Sequence, residues 1–357
     1  MSIYGIWLLA AAGLYSLLRR LPLKGKGFWY PLIISLMLTA ILGLRHPGMG
    51  VDLGYGKPYG YLPSFQILKE LPWKTLLTME PFQNYERGFV LFNKLVGMLC
   101  GKEQWFLFCC AAASILPVGA VIGAFSRNQR LSFWIYFGLT AFQIPFSGLR
   151  QAIAAAVAFA AFFAVRKQSP MAFLALVILA SSFHDTALTV LAVYPLYRCR
   201  MDKRGRVISL GLLAIIFALR VPLWNSLVTL LNRGHPALHS GDVGLLLLFC
   251  GIYGYMLLFA PETEEISGLV NLQWLCCCVL CFTEVSTVAA RVAYYSMLYL
   301  TLSLPEILQH IRTRFGEREY ALHTLAVAAG FVLLGFYNLL HADWAAAVPY
   351  AFFWEGL

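Results

Sequence analysis

The sequence predicts an all-α polytopic membrane protein with about twelve transmembrane helices and a long extracytoplasmic loop containing an interfacial or re-entrant helix. Three observations predict this. Of 357 residues, 60% are apolar, against roughly 45–50% in soluble proteins. Only 12% are charged. The apolar residues also recur in blocks along the whole chain, so one hydrophobic anchor cannot account for them.

A span needs about 20 apolar residues, fewer where the helix lies inside a bundle. In chain order the blocks are roughly 3–18, 28–44, 104–125, 131–147, 149–165, 169–183, 186–197, 207–222, 243–260, 268–288, 292–308 and 320–340. The first has no basic region before it and no small-residue cleavage site after it, so it reads as a span and not as a removed signal. The segment Gly88 to Cys100 is apolar but interrupted by Asn93 and Lys94, and is read as the interfacial or re-entrant helix. The chain is expected to be a single integral membrane domain, 1–357, with 45–103 as a lid-like loop within it.

Net charge is +10, but the cations lie in short clusters between apolar blocks, which marks topology and gives no support to nucleic-acid binding. The clusters are Arg19, Arg20, Lys24 and Lys26; Arg127 and Arg130; Arg166 and Lys167; Arg198 to Arg206; and Arg312, Arg314 and Arg318. They occupy alternate connections. The positive-inside rule therefore places them in the cytoplasm and both termini outside a cytoplasmic (inner) membrane. Cysteines such as those of "WLCCCVLC" (Cys276, Cys277, Cys278, Cys281) sit within apolar blocks and read as soft packing residues, not a disulfide framework.

Arg45, Asp52, Glu86, Arg150, His184, Asp185, Arg220, Arg233 and Arg291 fall on the outer side of this topology. Charges near membrane helices are costly and mark function. Arg150 precedes the run "QAIAAAVAFAAFFAV", the fifteen residues that separate it from Arg166, which as a helix cover roughly 22 Å of a hydrocarbon core about 30 Å thick. Arg150 is thus expected to be recessed from the outer surface. Its small neighbours suit close helix packing. His184 and Asp185 sit between two short apolar runs and are expected at similar depth. Arg291 follows Glu284 by seven residues, which on one helix puts both on nearly the same face. Recessed guanidinium groups on one face suit a diphosphate, which they bind bidentately while staying charged.

Other signals carry no chemistry. The glycines of "GVDLGYGKPYG" lack the strand, helix and spacing of a dinucleotide fingerprint. His235 and His239, with Asp242, are separated by Pro236 and read as a polar loop; no metal or other cofactor is expected. There is no nucleophile elbow, metalloprotease helix or internal repeat.

Taken in order, Arg45 and "GVD" (Gly50 to Asp52), "YERGFVLFNKL" (Tyr85 to Leu95), "GLRQAIAAA", "LASSFHDTAL", "ARVAYYSMLYLTLSLP" (Ala290 to Pro305) and a terminal "VPYAFF" resemble the EpsG family, relatives of the Wzy-type polysaccharide polymerases. The paired "LRQ-x-x-A" and "F-H-x-x-A" elements are the most specific part. Val51 and Asp185 depart from the usual Thr and Ser.

The resemblance implies a metal-independent glycosyltransferase that joins oligosaccharide repeat units carried on polyprenyl diphosphate, at the outer face of the bilayer. A flippase and a chain-length regulator of the same pathway are the partners it brings with it. Arg150 and Arg291, with Arg45 and Gln151, are the candidates for the substrate diphosphate. His184, Glu86 and Asp52 are the candidate catalytic groups, with the choice of base open between His184 and Glu86. Tyr55, Tyr59, Tyr61, Trp73 and Tyr294 are candidates for contact with glycan. Two other readings stand beside this one: a glycan ligase of the same architecture, and a lipid-linked oligosaccharide flippase. A flippase exposes its site to both sides and usually shows inverted repeats, which the sequence does not.

Overall fold

The computed structural model describes residues 2–20, 25–80, 82–231 and 243–356. Lys24, Arg233, His235, His239 and Asp242 lie outside the described residues. The described chain is helical, without strands, and divides into two compact units: Met1–Leu188 with Val327–Leu357, and Thr189–Ala326.

The first unit runs α1 (Ser2–Arg20), α2 (Lys26–Gly43), α3 (Tyr61–Glu70), α4 (Trp73–Thr78), α5 (Arg87–Leu99), α6 (Glu103–Phe125), α7 (Gln129–Gly138), α8 (Ile144–Ser147), α9 (Leu149–Ala160), α10 (Phe162–Arg166) and α11 (Pro170–Ser181). The second holds α12 (Val193–Arg198), α13 (Lys203–Ala218), α14 (Arg220–Leu231), α15 (Gly244–Phe259), α16 (Glu264–Leu280), α17 (Thr287–Met297) and α18 (Leu300–Phe315). A last helix, α19 (Glu317–His341), begins in the second unit and ends in the first.

Glu103–Phe125, Leu149–Arg166 and Glu317–His341 are long and apolar enough to cross a membrane. Ser2–Leu18, Gly27–Gly43, Pro170–Ser181 and Gly244–Phe259 are shorter apolar helices. Several blocks expected as straight helices are instead broken. The block 131–147 stops at Gly138, where a Cβ would come 2.3 Å from the Phe331 carbonyl oxygen, and resumes as α8. The block 186–197 begins as a 3-10 helix, Asp185–Ala192. The block 207–222 bends by 74° between α13 and α14.

Small residues let the helices of the first unit approach closely, the usual device where lipid removes the hydrophobic drive between helices. On the α2–α6 contact, a Cβ on Gly43 would lie 2.9 Å from Phe108 Cα, and one on Gly123 would lie 2.8 Å from Pro31 Cγ. The alanine-rich α9, most of whose alanines are buried, packs against both α6 and α11. Around α3 and α5 an aromatic core forms, with Phe65 stacked on Phe106 at 4.5 Å and Tyr61 edge-on to Phe89 at 5.5 Å.

In the second unit α16 is the central helix, packed by α12, α13, α15, α17 and α18. Polar side chains satisfy the carbonyls that helix ends leave open. Asn271 Nδ2 donates to Leu196 O (2.8 Å) and Cys199 O (2.7 Å), and Arg206 donates to Leu257 O and Ala260 O, both at 2.8 Å. Cys276, Cys277, Cys278 and Cys281 are buried and unbridged.

Gly43→Ala is expected to overpack the α2–α6 contact, because the obstacle is Phe108 backbone as well as its ring, and to cost about 1–3 kcal/mol. Gly13→Ala, where nothing lies within 4 Å, is expected to be neutral or to stabilise by up to about 1 kcal/mol. Thermal unfolding of the two variants in the same detergent checks the contrast.

Candidate functional site

Arg150 enters the site because the chain breaks just before it. Pro145 opens the one-turn α8, Gly148 caps its end, and α9 starts at Leu149, so Arg150 lies in a helix's first turn. A cation there opposes the helix dipole and gains from an anion nearby. The anion is Glu86. Its carboxylate takes the Arg150 Nη1 hydrogen bond on Oε2 at 2.6 Å.

Glu86 sits at the N-cap of α5, yet its side chain makes no capping bond. The carboxylate turns away from its own helix. Its Oε1 lies 2.9 Å from His184 Nδ1 and accepts from the Asp185 backbone N–H at 3.2 Å. Gly88 explains how the α5 start reaches His184: a Cβ there would come 2.2 Å from Ser182 Oγ and 2.6 Å from Ser182 O. His184 occupies the corner where α11 hands over to the 3-10 helix, with its N–H bonded to Ala180 O and its carbonyl accepting from Ala187. With Glu86 accepting from Nδ1–H, the imidazole is held in the tautomer whose Nε2 carries the lone pair.

The turn between α4 and α5 completes the setting. Gln83 (φ 49°) and Asn84 (φ 62°) are consecutive left-handed residues, neither a glycine, a conformation costing of order 1–3 kcal/mol each and concentrated at functional sites. It aims Asn84 O at Arg150 Nη1, 3.0 Å away. The Arg150 guanidinium lies over the Tyr85 ring at 4.7 Å, and Nε reaches Tyr61 Oη at 3.5 Å. Among the described residues, no acceptor is seen for Nη2.

Burial raises the Glu86 pKa, but the His184 hydrogen bond and the Arg150 charge outweigh it and hold the carboxyl at about 2. Burial pushes the Tyr61 phenol up to about 12, and Arg150 pulls the other way. Asp52 is tied to the start of α3, its carbonyl accepting from the Tyr61 backbone N–H at 3.1 Å, and its carboxylate adds slightly to the upward shift of Tyr61 and Tyr85.

Glu86, His184 and Asp185 offer ligand atoms within 4.8 Å of one another, the only such group among the described residues. Glu86 Oε2 is already engaged by a guanidinium, whose charge disfavours a second cation beside it.

The remaining expected residues are distributed differently. Arg45 is 1% exposed and gives its donors to carbonyls, Nε to Met49 O (3.3 Å), Nη1 to Leu42 O (2.8 Å) and Nη2 to Phe146 O (3.1 Å), with Phe146 under it at 5.3 Å. It ties the end of α2 to the segment just before Arg150, and the Arg150–Glu86–His184 cluster does not include it. Gln151 is buried in α9. Tyr55 and Tyr59 are exposed, as is Trp73, but Tyr61 is buried and stacks on Tyr85 at 5.7 Å. Arg291 and Tyr294 belong to α17 of the second unit, where Tyr294 is buried. Glu284 does not share a helix with Arg291. It lies in the turn after α16, and its Oε2 accepts from Arg220 Nε at 2.5 Å. Sequence reasoning did not single out Asn84, whose carbonyl faces Arg150, or Tyr85 beneath it.

The ordered set of an Arg at a helix start, a Glu two residues before a packing Gly and a His at a helix corner invites comparison with known families. The model described as the EpsG family matches residues 28–352. The chain belongs to the EpsG family. No curated protein and no solved structure matches it. Membership of the EpsG family, together with the apolar helices, makes this a membrane protein and points to a polysaccharide polymerase role.

Because the folded Glu86 pKa lies below its ordinary 4.5, its ion pair stabilises the fold above that value and loses this contribution as pH falls towards 2. Glu86→Gln is therefore expected to unfold at lower temperature than the parent at pH 7, and the gap is expected to narrow steadily on acidification below pH 4.5. Melting curves of both proteins over that pH range check it.

Proposed function

We propose that this EpsG-family protein is a polysaccharide polymerase. It transfers a nascent glycan from its polyprenyl diphosphate carrier to a sugar hydroxyl of another lipid-linked repeat unit, at the extracytoplasmic face of the cytoplasmic membrane. The about twelve spans, outward termini and lid-like loop 45–103 belong to this reading, as do a flippase and a chain-length regulator as pathway partners. The observation that carries it is the Glu86 carboxylate bridging Arg150 and His184.

In this reaction the C1–O bond to the diphosphate breaks and the diphosphate leaves with the electron pair. The acceptor oxygen forms the new C1–O bond, and its proton goes to a base. Arg150 supplies what the leaving group needs, a fixed positive charge at a helix N-terminus. His184 Nε2 takes the proton, and Glu86 fixes the ring tautomer and balances the charge the ring acquires, the role a buried carboxylate plays beside a catalytic imidazole. This arrangement favours His184 over Glu86 as the base, since a carboxyl held at about 2 and occupied on both oxygens is a weak proton acceptor. Asp52, next to Tyr61 in the fold, stays in the proposal as a further catalytic carboxylate, and Tyr55 and Tyr59 on the exposed loop are assigned to the glycan. In the first unit Gln151, and separately in the second unit Arg291, stay in the proposal as candidate diphosphate contacts and Tyr294 as a candidate glycan contact, whereas Arg45 is assigned to holding the segment before Arg150.

The test is reconstitution of the purified protein with lipid-linked repeat units, reading repeat number by mass spectrometry. Arg150→Ala is expected to lower the rate of chain extension by about 10²–10³-fold. His184→Ala is expected to lower it by about 10²–10⁴-fold. Full-length polymer from either variant contradicts the assignment. Arg150→Lys, which keeps the charge but loses the planar fork, is expected to recover only part of the rate.

A further inference from the structure

We propose that the second unit carries a second diphosphate-binding site, built on the helix bend at Arg220, for the headgroup of a second lipid carrier. The proposal rests on the polymerase reading above. Between Val207 and Leu231 the sequence has a single charged residue, Arg220, and the helix bends by 74° there. An ionisable group at a break in an apolar helix is costly to keep and marks a binding path.

The surroundings of Arg220 repeat those of Arg150. Each arginine opens a helix after a break. Each is paired with one glutamate, Arg220 Nε to Glu284 Oε2 at 2.5 Å and Arg150 Nη1 to Glu86 Oε2 at 2.6 Å. Each gives Nη1 to a carbonyl, Phe217 O at 2.8 Å and Asn84 O at 3.0 Å. Each guanidinium lies over an aromatic ring, Phe217 at 4.3 Å and Tyr85 at 4.7 Å. Nη2 of Arg220, like that of Arg150, has no acceptor among the described residues. In both pairs the arginine side chain is 21% exposed and the glutamate 18%, so both are reachable yet largely desolvated.

The chemistry of the proposed reaction asks for two such sites. One carrier diphosphate departs as leaving group, and the other stays attached to the accepting unit throughout. A protein that must hold both needs two places for a diphosphate, and a guanidinium with an open fork is the group that recognises one. The Arg220–Glu284 pair would open as the ligand arrives, with Glu284 neutralising the cation while the site is empty. The inference covers binding only, so it does not decide which carrier is donor.

The experiment counts bound carriers on the full-length protein in detergent by native mass spectrometry, with a sugar-free polyprenyl diphosphate as probe. Two copies are expected on the parent, one on Arg220→Ala, one on Arg150→Ala and none on the double variant. Two copies retained by Arg220→Ala, or a single parental copy abolished by Arg150→Ala, overturn the proposal. Glu284→Gln keeps the cation and removes its competitor, and is expected to bind the second copy several-fold tighter. Unchanged or weaker binding there assigns the pair to holding the bend and overturns the proposal as well. Excess inorganic diphosphate is expected to displace the Arg220-dependent copy, and failure to do so assigns that copy to the lipid tail. A protein that binds two carriers but makes no polymer on reconstitution sinks the polymerase reading and leaves the second site standing.

Discussion

One carboxylate organises the first unit's polar chemistry. Glu86 joins Arg150, 64 positions away, to His184, 98 positions away, through its two oxygens. In an apolar surrounding neither cation nor imidazole is cheap to hold, and a shared anion makes both tolerable. The rest of the local structure is arranged to deliver that anion. Gly88 lets α5 start against Ser182, the left-handed turn at Gln83 and Asn84 brings a carbonyl to the same guanidinium, and Arg45 fastens the segment from which α9 sets out.

The same arrangement connects structure to reactivity. A guanidinium pinned on Nη1 and resting on Tyr85 has little further freedom to lose, so under the proposed reading the binding of a diphosphate is prepared in advance. An imidazole fixed through Nδ1 presents Nε2 in one direction. In the proposed reaction, leaving-group stabilisation and proton removal are both set by the one residue between them. Strain in the Gln83–Asn84 turn fits a site that over-determines its own geometry, since two successive non-glycine residues in that region persist only where neighbours hold them.

Much of this was legible in the sequence, and the reasons the rest was not are physical. Helix content follows from composition and from the apolar runs, which are local properties. Arg150, Glu86 and His184 could be singled out because ionisable residues stand out against apolar blocks. Arg45 stands out in the same way, yet the backbone encloses it. Only folding shows that Leu42 O, Met49 O and Phe146 O converge on it. Glu284 and Arg291, seven residues apart, are expected on nearly the same face of one continuous helix. The chain instead turns between α16 and α17, so they do not share a helix, and the Glu284 carboxylate accepts from Arg220. Tyr61, read with Tyr55 and Tyr59 from a single tyrosine-rich loop, is separated from them by burial against Tyr85. The bend at Arg220 leaves no mark in hydropathy, because both arms are equally apolar.

The central claim, that Glu86 and His184 act as one unit in proton removal, is tested most directly by a double-variant cycle. Chain-extension rates would be compared for the parent, Glu86→Gln, His184→Ala and the two combined, in the same reconstituted membranes. The account predicts non-additivity, the double variant losing less than the product of the two single losses. Part of the Glu86 contribution passes through the imidazole, and only the part that passes through Arg150 remains to be lost once His184 is gone. Rate losses that multiply in the double variant would show that the two residues act independently, and would contradict the account.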